Sequence, residues 1–184
     1  DPMKGIIALI IGLLATAAMG QAQTLYYDRA SFLSDSRIAT ATTSSVTFDS
    51  YSAGTDLTGQ TIAGATFTAP GSGPLMVIAG STGVRYAMSP STGLNVLSPG
   101  GSDPNLQNDD LRVTFAVPVQ AAGMDVVFDV PDGASYVAVY FYDAANNVLA
   151  SNGFIPDSGS YQFVGLVADS ALISWILFGS LEIR

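Results

Sequence analysis

The sequence predicts an all-β protein, an antiparallel β-sandwich of jelly-roll-like type with one short helix near its amino terminus. Strong helix formers are scarce: among 184 residues Lys4 is the only lysine and Glu182 the only glutamate, whereas glycine occurs 19 times. Runs of β-branched and aromatic residues recur about every ten residues, the rhythm of a sandwich. Within these runs apolar and polar residues alternate with a period of two, as in strands with one buried face.

Length and composition indicate one folded domain with few catalytic options. Hydrophobic residues make up 48% of the chain, enough to form a core by burial alone. Cysteine and histidine are both absent, which excludes disulfides, Cys/His zinc sites, thiolate nucleophiles and imidazole bases. The net charge of −9 argues against binding to nucleic acid, whose phosphates require a Lys/Arg surface, and against anionic membranes.

Residues 1–22 read as a secretory signal peptide, and residues 23–184 as a single β-sandwich domain. A basic start at Lys4 precedes an apolar run and then small residues, with cleavage expected after Ala22. The apolar run is short for a transmembrane helix, which needs about 20 residues. The alternative is that residues 3–22 are retained as a membrane anchor or assembly helix. We therefore expect a secreted or cell-surface protein of a Gram-negative envelope, with membrane contact only if that segment is kept.

The elements of the domain follow from turn and cap signals. Residues 25–27 predict a first strand, and Asp28 predicts the cap of a short helix whose Phe32 and Leu33 face the body. Further strands are predicted at residues 46–49, 61–68, 75–79, 94–97, 111–117, 119–130, 135–142, 148–151, 161–168, 172–178 and 181–183.

Alternation assigns a face to the side chains of these strands. In the run 111–117 the odd-numbered residues, Val117 included, are expected in the core. In the run 135–142 the apolar odd-numbered residues oppose a stripe of tyrosines. The run 172–178 is apolar on both faces, which favours a central strand and places Trp175 in the core.

Seven short segments are spread over most of residues 23–184: 27–33, 46–49, 62–67, 111–115, 118–126, 163–166 and 173–176. Together they resemble secreted bacterial β-sandwich proteins of the PEP-CTERM, or exosortase-sorted, type. The resemblance implies an exported protein of the envelope or matrix with a sandwich fold, and it carries over no catalytic residue. In contrast to members with a sorting signal, this sequence has no Pro-Glu-Pro motif, transmembrane helix or basic tail after Ile183 and Arg184.

The densest polar cluster, residues 103–110, is a candidate Ca²⁺ site, because alternating oxygen-bearing side chains are typical of calcium loops. It is not an EF-hand, since Asn108 stands where that loop needs glycine and Thr114 where it needs a bidentate glutamate. The alternative is a solvated turn that leads into a strand. The candidate ligands are Asp103, Asn105, Asp109 and Asp110.

The stripe of Tyr136, Tyr140 and Tyr142 is a candidate ligand-binding site. A tyrosine offers an apolar face and a polar edge, so such a stripe can stack sugar rings. The alternative is that the stripe is the second packed face of a middle strand or a cross-strand aromatic ladder.

The sequence predicts that the protein is not an enzyme. Asp125 and Asp129 share a face but lie four strand residues apart, and no motif suggests a catalytic cleft. The expected function is that of a non-catalytic structural or adhesive protein of the cell envelope or extracellular matrix, with a self-assembling subunit as one form. The alternative is a carbohydrate-binding module with or without structural calcium. The expected partner is another copy of the chain, in a homo-oligomer or filament, or an extracellular glycan.

Overall fold

The chain is an antiparallel β-sandwich, as predicted, in a computed structural model that describes residues 22–38, 43–71, 73–79, 93, 95–100, 110–127, 137–154 and 161–180. The predicted signal segment up to residue 21 and the predicted strand 181–183 lie outside these residues. The elements are β1 (Gln23–Tyr26), α1 (Arg29–Leu33), β2 (Thr61–Ile62), β3 (Ala65–Thr68), β4 (Leu75–Ala79), β5 (Asn95–Pro99), β6 (Leu111–Val119), β7 (Ala121–Val127), β8 (Val137–Tyr142), β9 (Val148–Phe154), β10 (Tyr161–Ala168) and β11 (Ile173–Ser180).

Two sheets form the layers of the sandwich. The larger has the order β2-β3-β6-β11-β8-β9 and the smaller the order β1-β10-β7, while β4 and β5 form a separate hairpin. Two of the passages of the chain from one layer to the other lie at neighbouring corners, at Gln120 between β6 and β7 and after Ala168 between β10 and β11. The two corners are joined by the bond from Ala168 N to Gln120 O, 2.9 Å, and by the bond from Leu172 N to Val119 O, 3.1 Å.

The core lies between the two sheets and draws its side chains from both, as the period of two requires. The β4–β5 hairpin contributes Leu75 at one end. The buried members are Ala65, Phe67, Leu75, Val113, Ala122, Val139, Phe141, Val164, Leu166, Ile173 and Ile176.

The short helix α1 packs on the outer side of the smaller sheet. Asp28 caps it as predicted, because its carboxylate accepts a hydrogen bond of 2.8 Å from Ser31 N. Phe32 is buried over Gly165, where an added Cβ would come within 2.7 Å of the phenyl ring. The prediction for Leu33 is wrong: this side chain is 54% exposed, because the single face of so short a helix is filled by Phe32.

Two predicted strands are wrong in detail. Residues 61–68 form the tight hairpin β2–β3 rather than one strand, because Ala63 and Gly64 adopt left-handed backbone angles, φ 50° and 82°. Residues 46–49 are not a strand: the chain turns there, with Tyr51 N bonded to Phe48 O at 3.1 Å. Phe48 still packs on the core, edge-on to Phe67 with the ring centroids 5.8 Å apart.

The prediction that Val117 is buried is also wrong, since its side chain is 70% exposed. The register between β6 and β11 jumps from Thr114 opposite Trp175 to Val119 opposite Ile173. Four residues of β6 therefore face one residue of β11, and this bulge carries Val117 away from the core.

Candidate functional site

The tyrosine stripe lies on the outer face of the larger sheet. Val139 and Phe141 of β8 are fully buried in the core, so the alternate residues Tyr140 and Tyr142 point away from it, as predicted. Tyr136, the third candidate of this stripe, lies outside the described residues.

Trp175 joins the stripe, so its predicted place in the core is wrong. On β11 it pairs with Tyr142 of β8, and the two rings are stacked with their centroids 3.6 Å apart and their planes 5° from parallel. The bulge that displaces Val117 explains the error. It lets Ile173 and Ile176, three residues apart, both face the core, which turns Trp175 outward.

Arg112 of β6 covers the second face of the indole. Its guanidinium carbon lies 4.1 Å from the Trp175 ring centroid, and β6 flanks β11 on the side opposite β8. The Arg112 Nε is buried and has no hydrogen-bond partner in the described part of the chain. The Arg112 guanidinium and the Trp175 ring therefore form a cation–π pair. We call Arg112, Trp175 and Tyr142 the outer-face stack.

The geometry limits what the outer-face stack can do. Both faces of the indole are covered from within the protein, so the stack presents ring edges rather than an open platform. Tyr140 lies beside it, 6.2 Å from Tyr142 between ring centroids. Burial raises the pKa of Tyr142, and the neighbouring Tyr140 adds to the rise, so this phenol stays protonated at neutral pH. Sugar binding by the stripe stays a prediction.

Of the four candidate calcium ligands, only Asp110 falls within the described residues; Asp103, Asn105 and Asp109 do not. The carboxylate of Asp110 lies directly over Gly179 of β11, in space that a Cβ there would fill. The described ranges contain no group of three or more acidic residues placed to hold a metal ion. The calcium site therefore also stays a prediction.

An ionic cluster ties β1 to the loop after α1. Asp35 accepts hydrogen bonds from Arg37 Nη2 at 2.6 Å and from the Tyr26 hydroxyl at 2.5 Å. Arg37 also bonds Thr24 Oγ1 at 2.8 Å and Asp169 Oδ1 at 3.1 Å. Donation from Arg37, and then from Tyr26, holds the pKa of Asp35 well below its usual range. A carboxylate so fully satisfied is a structural anchor rather than a proton carrier.

The edge of the larger sheet is formed by β9, whose seven residues, Val-Leu-Ala-Ser-Asn-Gly-Phe, include neither a charged residue nor a proline. One edge of β9 pairs with β8, and no strand in the described part of the chain pairs with the other. Val148 at its start is 52% exposed and lies opposite Tyr142. The opposite edge of this sheet, β2, has only two residues.

Comparison of the chain with protein-family models, with curated proteins and with solved structures gave no match. In the described ranges, no helix has the length and apolar character needed to cross a bilayer. Function is therefore inferred from the geometry and chemistry of the chain itself.

Proposed function

We propose that the protein is a non-catalytic, exported structural or adhesive component of the cell envelope or extracellular matrix, and that copies of it join through the edge of β9. The observation that carries this proposal is the uncharged, proline-free edge strand at the end of a six-stranded sheet.

Edge strands present unpaired backbone donors and acceptors, which is why natural proteins protect them with lysine, proline, bulges or short length. β2 is protected by its shortness, and β7, at the edge of the smaller sheet, carries the charge of Asp125. β9 has seven residues and neither a charge nor a short length to protect it. It has one bulge, where Leu149 is the extra residue between Val148 and Ala150, whereas Ala150 to Phe154 pair regularly with β8. Its exposed Val148 extends the apolar surface of the outer-face stack. A second copy that adds a strand at β9 would satisfy the backbone groups and bury this valine.

The ionisable groups support a role without catalysis. Arg29 pairs with Asp125, and Arg37 pairs with Asp35 and Asp169, so these charges serve structure. The pKa values of three further aspartates are lowered by hydrogen bonds within their own turns, chiefly from Ser31 N to Asp28, from the Thr58 hydroxyl to Asp56 and from the Asn147 amide to Asp143. A carboxylate with a lowered pKa is a poor acid or base near neutral pH.

Export is supported by the basic start and apolar run of residues 1–22, by the excess of aspartate over lysine, and by the resemblance of seven segments to PEP-CTERM-type proteins. A cysteine-free sandwich of this size can hold together outside the cell by burial, because its core draws on both sheets.

A matched pair of lysine variants tests joining through β9. Light scattering and electron microscopy of the purified protein should show particles that grow with concentration. Val148→Lys should leave a monomer, because a lysine at the edge blocks strand addition. The control Val117→Lys makes the same change at a more exposed valine of β6 and should assemble like the parent chain. A parent chain that stays monomeric at every concentration, or a Val148→Lys variant that still assembles, would contradict the proposal.

A further inference from the structure

A cleft opens where the smaller sheet is incomplete. β7 pairs with β10 from Tyr161 onward, whereas β1 pairs only with Gly165 to Ala168. β1 ends early because Asp28 caps α1 and turns the chain away from the sheet. Beside the first residues of β10, between the start of α1 and β9, this leaves a cleft of about 480 Å³. Its volume falls within the range of about 300–1,000 Å³ that is usual for ligand sites.

Two exposed tyrosines line this cleft. Tyr27, just after β1, is 61% exposed, and Tyr161, the first residue of β10, is 50% exposed. Each ring offers an apolar face with a hydroxyl at its edge, which suits a ligand that has both apolar faces and polar rims. Phe163 adds an apolar wall.

Two amide side chains occupy positions at which the strand pattern calls for core residues. Asn152 of β9 pairs with the buried Val139, and Gln162 of β10 pairs with the buried Val126. Both therefore belong to the inner faces of their sheets, and both line the cleft. Within the described residues, neither side-chain amide makes a hydrogen bond, and only the backbone groups of these two residues are paired. Their donors and acceptors are thus available to a ligand.

The two charged residues at the cleft, Arg29 and Asp28, already have polar partners. Arg29 pairs with Asp125 and lies over the Phe163 ring, 5.8 Å from its centroid. Asp28 accepts hydrogen bonds of 2.8 Å from both the backbone nitrogen and the hydroxyl of Ser31. An anionic ligand such as phosphate would compete with Asp125 for Arg29 and would lie beside Asp28. The cleft therefore favours a neutral ligand over an anionic one.

We propose that the cleft formed by Tyr27, Tyr161, Asn152 and Gln162 binds the sugar rings of a neutral glycan. The tyrosines contact the apolar faces of the sugars, and the two amides hydrogen-bond their hydroxyl groups. For the adhesive role proposed above, this site makes neutral glycans the class of partner. It rests on the proposed function only in placing the protein outside the cell. It does not depend on pairing through β9.

Titration calorimetry with neutral hexasaccharides tests the site. The probes are cellohexaose, laminarihexaose, maltohexaose and chitohexaose, with inorganic phosphate as the charged control. We expect at least one hexasaccharide to bind and phosphate not to bind. Tyr161→Ala and Tyr27→Ala should each weaken binding about tenfold, since a ring contact of this kind is worth up to about 1.5 kcal/mol. Asn152→Ala and Gln162→Met should each weaken it about fivefold.

Tyr142→Ala is the matched control, because it removes an equal ring from the outer face of the larger sheet. It should bind as the parent chain does, and melting curves show that each variant is folded. No binding by any hexasaccharide, phosphate binding instead, or loss of binding in Tyr142→Ala with retention in Tyr161→Ala would each overturn the cleft. The variant Val148→Lys separates the two proposals. If this variant is a monomer and binds glycan, the cleft binds glycan without assembly through β9. If this variant binds no glycan while the parent chain does, binding requires the assembled form, and the proposal of a site within one copy is wrong.

Discussion

The indole of Trp175 lies flat against the phenol of Tyr142, with 3.6 Å between the ring centroids, on the outer face of the larger sheet. Trp175 is the only tryptophan of the chain, so its fluorescence reports this contact directly. A fluorescence measurement therefore tests whether Trp175, whose strand is apolar on both faces, lies on the outer face of the larger sheet or in the core.

Removing the phenol should expose the indole. We expect Tyr142→Ala to shift the tryptophan emission to longer wavelength and to increase its quenching by acrylamide, because one ring face becomes open to water. Tyr140→Ala is the control, since Tyr140 pairs with Leu177 and not with Trp175, and it should change both readings less. Unchanged quenching in Tyr142→Ala would show that the indole is buried elsewhere.

The contact of Arg112 with Trp175 should be measurable by a double-mutant cycle. Arg112→Gln and Trp175→Leu, alone and combined, should give a coupling of about 1 kcal/mol in the free energy of unfolding, because the guanidinium lies on the ring and is partly shielded from water. Arg29→Gln with Trp175→Leu is the control cycle. Arg29 lies against the smaller sheet, so this pair should be additive within about 0.5 kcal/mol. A coupling free energy of zero between Arg112 and Trp175 would contradict the stacked geometry.

Gly165 is required by the packing of α1. Gly165→Ala should lower the free energy of unfolding by about 1–3 kcal/mol, because its Cβ would lie 2.7 Å from Phe32 Cδ2 and 3.0 Å from Phe163 Cε1. Urea unfolding measures the loss. In the background Phe32→Leu, which shortens the side chain above it, the same substitution should cost less. An equal cost in both backgrounds would mean that Phe32 does not lie on this glycine.

Stability should fall in acid partly through Asp35. Its pKa is lowered in the folded chain, so its contribution is fully present above the unfolded value of about 3.9 and is lost as the pH falls from there towards the folded value. Asp35→Asn should lower stability at neutral pH and flatten the decline below about pH 4. Urea midpoints across the acid range measure it. Parallel curves for Asp35→Asn and the parent chain would exclude this role.

Local sequence signals were enough to predict much of the fold and the outward face of Tyr140 and Tyr142. The strand β10 has the predicted bounds, residues 161–168, because alternation and flanking turn residues define it locally. The hairpin at Ala63 was missed because alanine rarely adopts a positive φ. Trp175 was misplaced because both faces of its strand are apolar, and only pairing with β6 and β8 tells them apart.

The cleft could not be predicted from the sequence, for a different reason. Asn152 and Gln162 line the same cleft because β9 ends the larger sheet on the side where β1 leaves β10 uncovered. Strand order is set by long-range packing, which the alternation of a single strand does not encode. A polar residue at an inward position was the available signal, and both Asn152 of β9 and Gln162, the second residue of β10, carry it.

Hydrogen exchange of the β9 amides, followed as the protein concentration rises, tests most directly whether copies join at this edge. Exchange in β9 should slow as particles form, while exchange in the edge strand β7 stays constant, because only β9 gains backbone partners. Exchange rates in β9 that do not change with concentration, in samples where particles are present, would contradict joining through this strand.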